Sequence, residues 1–302
     1  MVQIRQILCP LDFSDVSRHA LDQARAIARQ YASTLTLLHV CPLMPAAAAA
    51  PGLPLTPVPM PTPGDLHAVR ESMQRFAETE VGTGIPMQFE IGEGDAASEI
   101  LDRAASMPSD LIVMGTHGRS GFERLVLGSV TERVIHKAKC PVLTVPPIAD
   151  VVPARPVRFT RILCAIDFSD ASLRALEYAL SLMQGPDARL TLMHVVEVTP
   201  APRSAAEADV ESRALGAYVA AAAHARAEHL ERLIPDCERA QGRVETTLAI
   251  GSAHREILRV ACERAIDIIV LGAHGIGVPQ LLFGSAAHQV VRQAHCPVLT
   301  VR

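Results

Sequence analysis

Glycine residues and a serine lie between a short apolar run and a helical pattern in the first half of the chain. Residues 111–114 are apolar and have the length of a strand buried on both faces of a parallel sheet. Gly115 and Gly118 follow this run, and Gly128 and Ser129 directly precede the helical pattern. Glycine lets backbone N–H groups approach an anion, and a helix start adds unpaired donors and a positive dipole end. The segment predicts a strand, a loop and a helix N-terminus that can hold phosphates, with Ser129 as N-cap or as hydroxyl donor to phosphate.

The spacing of these residues differs from that of a P-loop and matches another pattern. No Lys-Ser or Lys-Thr pair follows a glycine at the Walker spacing. Two residues separate Gly115 from Gly118, and nine separate Gly118 from the Gly128-Ser129 pair. This pattern resembles the ATP-binding signature of the universal stress protein family. The alternative is a glycine-rich turn followed by an ordinary helix N-cap.

Segments of the first half recur in the second half at an offset of 155 to 157 residues. The matching pairs are residues 7–15 and 162–170, 35–40 and 190–195, 94–101 and 251–258, 110–115 and 267–272, and 140–145 and 296–301. A repeat of this length predicts two tandem domains rather than a solenoid. We expect domain 1 at residues 1–147, a Pro- and Val-rich linker at residues 148–157, and domain 2 at residues 158–302.

The composition of the 302-residue chain excludes several classes of protein. Tryptophan is absent, only three tyrosines occur, and the net charge is -4 with a pI near 6.3, which argues against a nucleic-acid surface. The seven cysteines include no C-x-x-C pair, so neither a disulfide framework nor a zinc site is indicated, and Cys9 and Cys164 are expected to be small buried hydrophobes. Neither a signal peptide nor a membrane-spanning run is recognised, which predicts a cytoplasmic protein.

Strand-like apolar runs alternate with helical patterns in each copy. In copy one we expect strands at residues 4–11, 34–40, 87–91, 111–114 and 142–145, and helices from residue 14 or 15 to 30, at 96–106 and at 130–138. This alternation predicts an α/β fold with a parallel sheet and helices on both faces. The family resemblance implies an open, doubly wound, five-stranded sheet in each domain, with strand order 3-2-1-4-5.

The implied strand order places three segments around one crevice. Strands one and four would be neighbours at the point where the winding direction reverses, and ligands bind outside the carboxyl ends of strands there. Asp12 follows strand one, Gly115 ends strand four, and Val40, which ends strand two, would form the other wall.

A Pro- and Ala-rich stretch at residues 41–64 follows strand two. Its prolines exclude a helix or a central strand, so it is expected to be a loop, either a lid over the crevice or a surface insertion. Copy two has a shorter equivalent at residues 198–203, followed by a predicted long helix at residues 205–233.

The resemblance implies that copy one binds ATP with Mg²⁺. By motif, the implied binding residues are Pro10, Asp12, Val40, Met114, Gly115, His117, Gly118, Arg119, Gly128, Ser129, Val130 and Thr131. The backbone at Val40 can read an adenine edge, Asp12 can accept from a hydroxyl or act as a metal ligand for Mg²⁺, and Ser129 and Thr131 can donate to phosphate oxygens. Alternatively, Asp12 is a helix-capping acid and His117 an ordinary loop histidine.

Copy two departs from the pattern. Eight residues, including Pro279, separate Gly275 from Gly284, where copy one has nine. Ala286 and Ala287 replace Val130 and Thr131, and Ile276 replaces Arg119. The candidates that persist are Asp167, Val195, Gly272, His274, Gly275, Gly284 and Ser285. Copy two is therefore expected to bind weakly, to bind something smaller, or to be empty, and copy one is the preferred site.

Other site motifs are weaker. Residues 92–97 match G-x-G-x-x-A, but they follow strand three at the sheet edge, and copy two lacks the pattern, so dinucleotide binding is disfavoured. Neither a G-x-S-x-G elbow nor an H-E-x-x-H helix occurs. The leading hypothesis is an ATP-binding stress or regulatory protein. The alternatives are slow ATP hydrolysis, with Asp12 or His117 orienting a water molecule, and a scaffold with vestigial sites.

The resemblance also implies an assembly. The two copies are expected to pack through their last strands, residues 142–145 and 298–301, so that one chain imitates a dimer, and two chains can associate further. Neither nucleic acid nor a membrane is an expected partner.

Overall fold

The computed structural model describes residues 2–42, 63–78, 84–117, 127–147, 158–197, 224–275 and 283–302. It divides into two compact units, one of residues 3–157 and the other mainly of residues 158–302. The Pro- and Ala-rich stretch lies almost entirely outside the described residues, as do residues 205–223 of the predicted long helix. No helix among the described residues is long and apolar enough to cross a membrane.

The first unit is a parallel sheet with helices packed against it. Its strands are β1 (Gln6–Leu11), β2 (Thr34–Cys41), β3 (Met87–Glu93), β4 (Leu111–Gly115) and β5 (Val142–Val145), in the order β3-β2-β1-β4-β5. Its helices are α1 (Asp15–Tyr31), α2 (Pro63–Glu78), α3 (Ala96–Ser106) and α4 (Ser129–Lys137). The α/β class is confirmed, and the strand order is the one that the family resemblance implied.

The second unit repeats this architecture. Its strands are β6 (Arg161–Ala165), β7 (Arg189–Val196), β8 (Val244–Ile250), β9 (Ile268–Gly272) and β10 (Val298–Val301), in the order β8-β7-β6-β9-β10. Its helices are α5 (Asp170–Leu182), α6 (residues 224–233), α7 (Asp236–Gln241), α8 (Ala253–Glu263) and α9 (Ser285–Gln293).

The core forms as the apolar patterns predict. In β4, Leu111, Ile112 and Val113 are each at most 1% exposed, as expected for a central strand covered on both faces. In α1 the buried face includes the predicted residues Ala20, Leu21, Ala24, Ile27 and Ala28. The Cys9 and Cys164 thiols are buried in β1 and β6, and burial raises both pKa values, that of Cys9 to about 12.

A duplicated aspartate fixes β1 against β4 at the edge opposite the predicted crevice. The carboxylate of Asp110 accepts hydrogen bonds from the backbone N–H groups of Arg5 at 2.7 Å and Gln6 at 2.9 Å. In copy two, Asp267 accepts in the same way from Thr160 at 3.0 Å and Arg161 at 2.9 Å. Charge-assisted bonds of this kind hold the starts of the two strands level, so that their carboxyl ends also meet at one edge.

Candidate functional site

The carboxyl ends of β1, β2 and β4 surround a cavity of about 220 Å³ in the first unit. The sequence-predicted residues that line it are Pro10, Asp12, Val40, Met114, Gly115, His117, Gly128, Ser129, Val130 and Thr131. Gly118 and Arg119 lie outside the described residues. The lining residues that the sequence did not single out are Leu11, Ser17, Leu38, His39, Ala96 and Ile100. Segments distant in sequence thus meet at the switch point of the sheet.

Asp12 organises the turn between β1 and α1. Its Oδ1 accepts hydrogen bonds from the backbone N–H of Ser14 at 3.0 Å and from the Ser14 hydroxyl at 2.6 Å. Ser14, not Asp12, is the N-cap of α1, because its Oγ accepts from the Ser17 N–H at 3.1 Å. Asp167 and Ser169 repeat the arrangement in copy two. The aspartate therefore supports the capping serine while its carboxylate lies at the cavity.

The residue after each of these aspartates has a left-handed backbone. Phe13 has φ of 63° and Phe168 has φ of 67°, a conformation that costs a bulky residue about 1–2 kcal/mol. The Phe13 ring packs against His39 with centroids 4.6 Å apart, and Phe168 lies 4.9 Å from His194. The strained turn directs a phenylalanine onto the wall that β2 or β7 contributes to the site.

His39 and His194 tie neighbouring strand ends together. Nδ1 of His39 lies 2.8 Å from the carbonyl oxygen of Leu11, and Nδ1 of His194 lies 2.7 Å from that of Ile166. Because a carbonyl oxygen only accepts, Nδ1 carries the proton, and Nε2 is an acceptor when the ring is neutral. The repeated His-Val pair was the available sequence signal, but it does not reveal these contacts.

The start of α4 differs from the expectation for Ser129. The helix begins at Ser129, and Gly128 occupies the N-cap position without any side-chain capping bond. Ser129 as N-cap is therefore wrong, because the β/extended residue before the helix is Gly128; the phosphate-donor alternative stays a prediction. Without a capping side chain, the first-turn N–H groups of α4 are available to an anion.

The Thr131 side chain joins the start of α4 to the end of β4. Its hydroxyl donates to the carbonyl oxygen of Gly115 at 2.7 Å, and the Gly128 N–H donates to the carbonyl oxygen of Thr116 at 2.8 Å. Thr131 is 3% exposed, and its single hydroxyl proton is engaged in this bond. Donation from Thr131 to a phosphate would require that bond to break, whereas Ser129 has no such side-chain bond among the described residues.

His117 presents a buried ring nitrogen beside the cavity. Its Nδ1 lies 2.9 Å from the Thr116 hydroxyl, while Nε2 is buried and has no hydrogen-bond partner in the described structure. An unpaired buried polar atom costs about 1–3 kcal/mol, so a ligand group that hydrogen-bonds to Nε2 would be stabilising. His117 is thus placed to meet a polar group of a ligand.

An ion pair joins the start of α3 to α4 at the rim. Asp95 is the N-cap of α3, and Arg133 of α4 donates to both of its carboxylate oxygens at 2.8 and 2.6 Å. These bonds from Arg133, with further bonds from Ser98, hold the pKa of Asp95 well below its usual range. This bidentate ion pair fixes α4 relative to α3, the helix that contributes Ala96 and Ile100 to the cavity.

Copy two contains a corresponding cavity of about 570 Å³. The predicted residues that line it are Asp167, Val195, Gly272, Gly275, Gly284 and Ser285. His274 is buried and is not among the lining residues. Ile276 and Pro279 lie outside the described residues. The α9 helix begins at Ser285 with Gly284 as an N-cap that makes no side-chain bond, as in copy one. The lining also includes charged residues that the sequence did not single out: Glu197 and Arg226.

Comparison with known proteins decides the family. The universal stress protein family model matches residues 3–146 and again residues 158–302. This chain belongs to the universal stress protein family. A universal stress protein of Mycolicibacterium smegmatis is 27% identical over 304 residues, covering 98% of this chain and 96% of the relative. One from Methanocaldococcus jannaschii is 34% identical over 149 residues, covering 47% of this chain and 81% of the relative.

A solved structure extends the likeness to both units of this universal stress protein. A crystal structure of a universal stress protein from Archaeoglobus fulgidus covers 99% of this chain and 97% of its own, with a TM-score of 0.62 and 24% identity. That likeness concerns the fold.

One histidine of the second universal stress protein domain has a shifted pKa. Burial is the main cause that lowers the pKa of His194, and the charges of Arg226 and His229 lower it further. The hydrogen bond to Ile166 and the charge of Asp167 oppose the shift. His194 therefore favours the neutral form in the folded domain more than it does in the unfolded chain.

The shift predicts a pH dependence of stability. Between the lowered folded pKa and the unfolded value near 6.5, the unfolded chain binds more protons, so the free energy of unfolding of domain 2 falls as pH drops through this window. Below the folded pKa both states are protonated, and this contribution levels off. Urea unfolding at pH 7.5 and 5.5 tests this pH dependence in the wild type and in His194→Asn. The asparagine keeps an N–H donor for the carbonyl oxygen of Ile166. We expect a smaller loss at low pH in the variant. His224→Asn is the control, because that side chain is 80% exposed; equal losses in all three proteins would contradict the prediction.

Proposed function

We propose that this protein is a nucleotide-binding stress or regulatory protein that holds ATP chiefly in the copy-one cavity. The observation that carries the proposal is the uncapped start of α4, which lies at the carboxyl end of β4 and lines a cavity at the switch point. Backbone N–H groups and the helix dipole favour a phosphate there. The Ser129 hydroxyl adds a donor beside them.

The remaining lining suits the adenosine end of the ligand. Leu38, Val40, Ile100 and Met114 provide an apolar wall, and the backbone at Val40 offers polar groups to a base edge. Among the described lining residues Asp12 is the single carboxylate, and one of its oxygens is engaged by Ser14. Mg²⁺ is commonly held by one or two carboxylates together with substrate phosphates, so Asp12 fits a metal that arrives with the nucleotide. A bound Mg²⁺ would neutralise phosphate charge.

The lining favours binding over rapid turnover. Among the described residues of this cavity, neither Arg nor Lys is present, and the titratable groups are Asp12, His39 and His117. His39 is held by Leu11, and Ser14 engages one oxygen of Asp12, so Asp12 and His117 are the groups that would orient a water molecule in a slow hydrolysis. A scaffold with vestigial sites is the other alternative, and the unpaired Nε2 of His117 argues for a ligand instead.

The nucleotide content of the purified protein tests the proposal. Freshly purified full-length chain is denatured, and the released nucleotide is identified and counted by chromatography and mass spectrometry. About one ATP per chain supports a working copy-one site. No released nucleotide, together with no binding of added Mg-ATP, overturns the proposal. If ATP hydrolysis persists after extensive purification, the protein is a slow ATP hydrolase rather than a binding protein.

The domain bounds, the cellular location and the assembly of the chain are further parts of the proposal. We take residues 1–147 and 158–302 as the domains and residues 148–157 as the linker, supported by the matched segments 3–146 and 158–302. A cytoplasmic location, packing of the copies through their last strands, and a homodimer stay predictions.

A further inference from the structure

We propose that the copy-two cavity is a second site with a different ligand, a nucleoside bisphosphate that carries phosphoryl groups at two separated positions. Arg226 would hold the phosphoryl group at the nucleoside end, and the start of α9 would hold the other. The inference rests on the proposed function in one respect: it assumes that the copy-two cavity, like the copy-one cavity, binds a nucleotide. It replaces the expectation that copy two binds weakly, binds something smaller, or is empty.

Arg226 is a cation placed at this cavity by packing. It comes from α6, lines the cavity, and has its guanidinium carbon 5.0 Å from the centroid of the Phe168 ring. Phe168 in turn stacks on His229, with centroids 4.4 Å apart and planes at 17°. No ion pair of Arg226 with a carboxylate occurs within the described ranges. A guanidinium that contacts a ring can still donate its N–H groups to an oxyanion.

The second anion site lies on the other side of β6. Gly284 is an N-cap without a side-chain bond, and Ser285 begins α9 after β9. Arg226 lies by Phe168 and His194, the latter on β7, and β6 separates β7 from β9. Neighbouring strands are about 4.8 Å apart, so the ends of β7 and β9 are separated by about 10 Å. That separation suits a nucleoside between two phosphoryl groups.

Among the described residues that line the copy-one cavity, there is no arginine that corresponds to Arg226. The corresponding wall there has Phe13 packed edge-on to Phe76, with centroids 5.6 Å apart. Arg18 lies 4.1 Å above the Phe76 ring, and it is not among the residues that line the copy-one cavity. His229 thus takes the place that Phe76 has in copy one, next to the phenylalanine of the strained turn. The two cavities are therefore expected to select different ligands.

The acidic residues of the copy-two cavity restrict where an anion can bind. Oδ1 of Asp167 accepts from the N–H and hydroxyl of Ser169. Oε1 of Glu197 accepts from the backbone N–H of Ala253 at 3.1 Å, at the start of α8, which directs this oxygen to that helix. These two carboxylates repel an anion, so an anion is held only where the Arg226 guanidinium or the N–H groups at the start of α9 outweigh that repulsion.

Calorimetric titration of the full-length chain tests the inference. The probes are adenosine 3′,5′-bisphosphate and adenosine 5′-monophosphate, and the proteins are the wild type, Arg226→Gln and Arg232→Gln. Arg232 is the matched control, because it lies on the same helix, is 74% exposed and pairs with Glu228. We expect one site to bind the bisphosphate about 10-fold more tightly than the monophosphate, the effect of one charge-assisted contact. Arg226→Gln should remove this preference, and Arg232→Gln should keep it.

A second set of variants assigns the preferring site. The preference should persist in Gly128→Leu, which obstructs copy one, and disappear in Gly284→Leu, which obstructs copy two. An unchanged preference in Arg226→Gln, or the absence of any preference, overturns the inference, even where ATP binding to copy one stands. Absence of all nucleotide binding, with circular dichroism showing folded protein, overturns the proposed function together with the inference.

Discussion

Replacing Gly128 with leucine is expected to lower the affinity for ATP about 10- to 100-fold, so that purified protein retains well under one nucleotide per chain. A Cβ at Gly128 would lie 3.1 Å from the carbonyl oxygen of Thr116 and 3.7 Å from Cα of His117. The first of these contacts is tighter than ordinary van der Waals contact, so the backbone must shift to admit the Cβ, and the rest of the leucine side chain would occupy space at the start of α4. A 10- to 100-fold loss corresponds to about 1.4–2.8 kcal/mol, which lies within the cost of about 1–3 kcal/mol that overpacking of this kind has.

The duplicated chain supplies the control for this variant. Gly284 is the equivalent N-cap in copy two, where a Cβ would lie 3.4 Å from the carbonyl oxygen of Ala273. Gly284→Leu should leave ATP binding at about one per chain if copy one is the ATP site. Calorimetry with Mg-ATP measures both variants, and circular dichroism checks that they fold. Unaltered ATP binding in Gly128→Leu, or its loss in Gly284→Leu alone, would show that copy one is not the ATP site.

Local signals made α1 and the strand ends predictable. The apolar face of α1 and the serine at its start lie within one stretch of sequence, so the expected end at residue 30 is within one residue of the observed Tyr31. The crevice could be predicted because the α/β alternation and the family resemblance together imply the strand order. That order determines which strand ends are neighbours, and so brings Asp12, Val40 and Gly115 to one cavity.

Features that depend on tertiary contacts could not be predicted in this way. The function of His39 depends on the carbonyl oxygen of Leu11 and the ring of Phe13, both on a different element. Arg226 is one of many exposed arginines in the sequence, and only the packing of α6 places it over Phe168. The start of α4 was misplaced because Gly128 takes the N-cap, with φ of -62° and ψ of 137°, where a pattern of side chains indicates a serine.

Alanine substitutions of glycines near the ends of strands are expected to change the free energy of unfolding by different amounts. Gly272→Ala is expected to lower the free energy of unfolding of domain 2 by about 1–3 kcal/mol. Its Cβ would lie 2.8 Å from the backbone nitrogen of Ser172 and 3.0 Å from the carbonyl carbon of Ala171. Because these atoms belong to the first turn of α5, the helix must move away from β9 to admit one methyl group.

Two matched alanine variants separate this clash from the intrinsic effect of adding a methyl group. In Gly115→Ala the nearest atom would be the side-chain Cγ1 of Val16 at 2.6 Å, and the nearest backbone atom would be the carbonyl oxygen of His117 at 3.3 Å. Because no backbone atom lies within 3.0 Å, we expect a smaller loss in domain 1 than Gly272→Ala causes in domain 2. In Gly92→Ala the nearest atom would be Oε2 of Glu99 at 2.9 Å, the end of a flexible side chain. That change should be neutral or slightly stabilising, since glycine in a strand costs about 0.5–1 kcal/mol relative to alanine. Urea unfolding of the three full-length variants measures the series. Equal losses for Gly272→Ala and Gly92→Ala would contradict close packing of α5 on β9, because the two variants differ chiefly in whether backbone or a mobile carboxylate stands in the way.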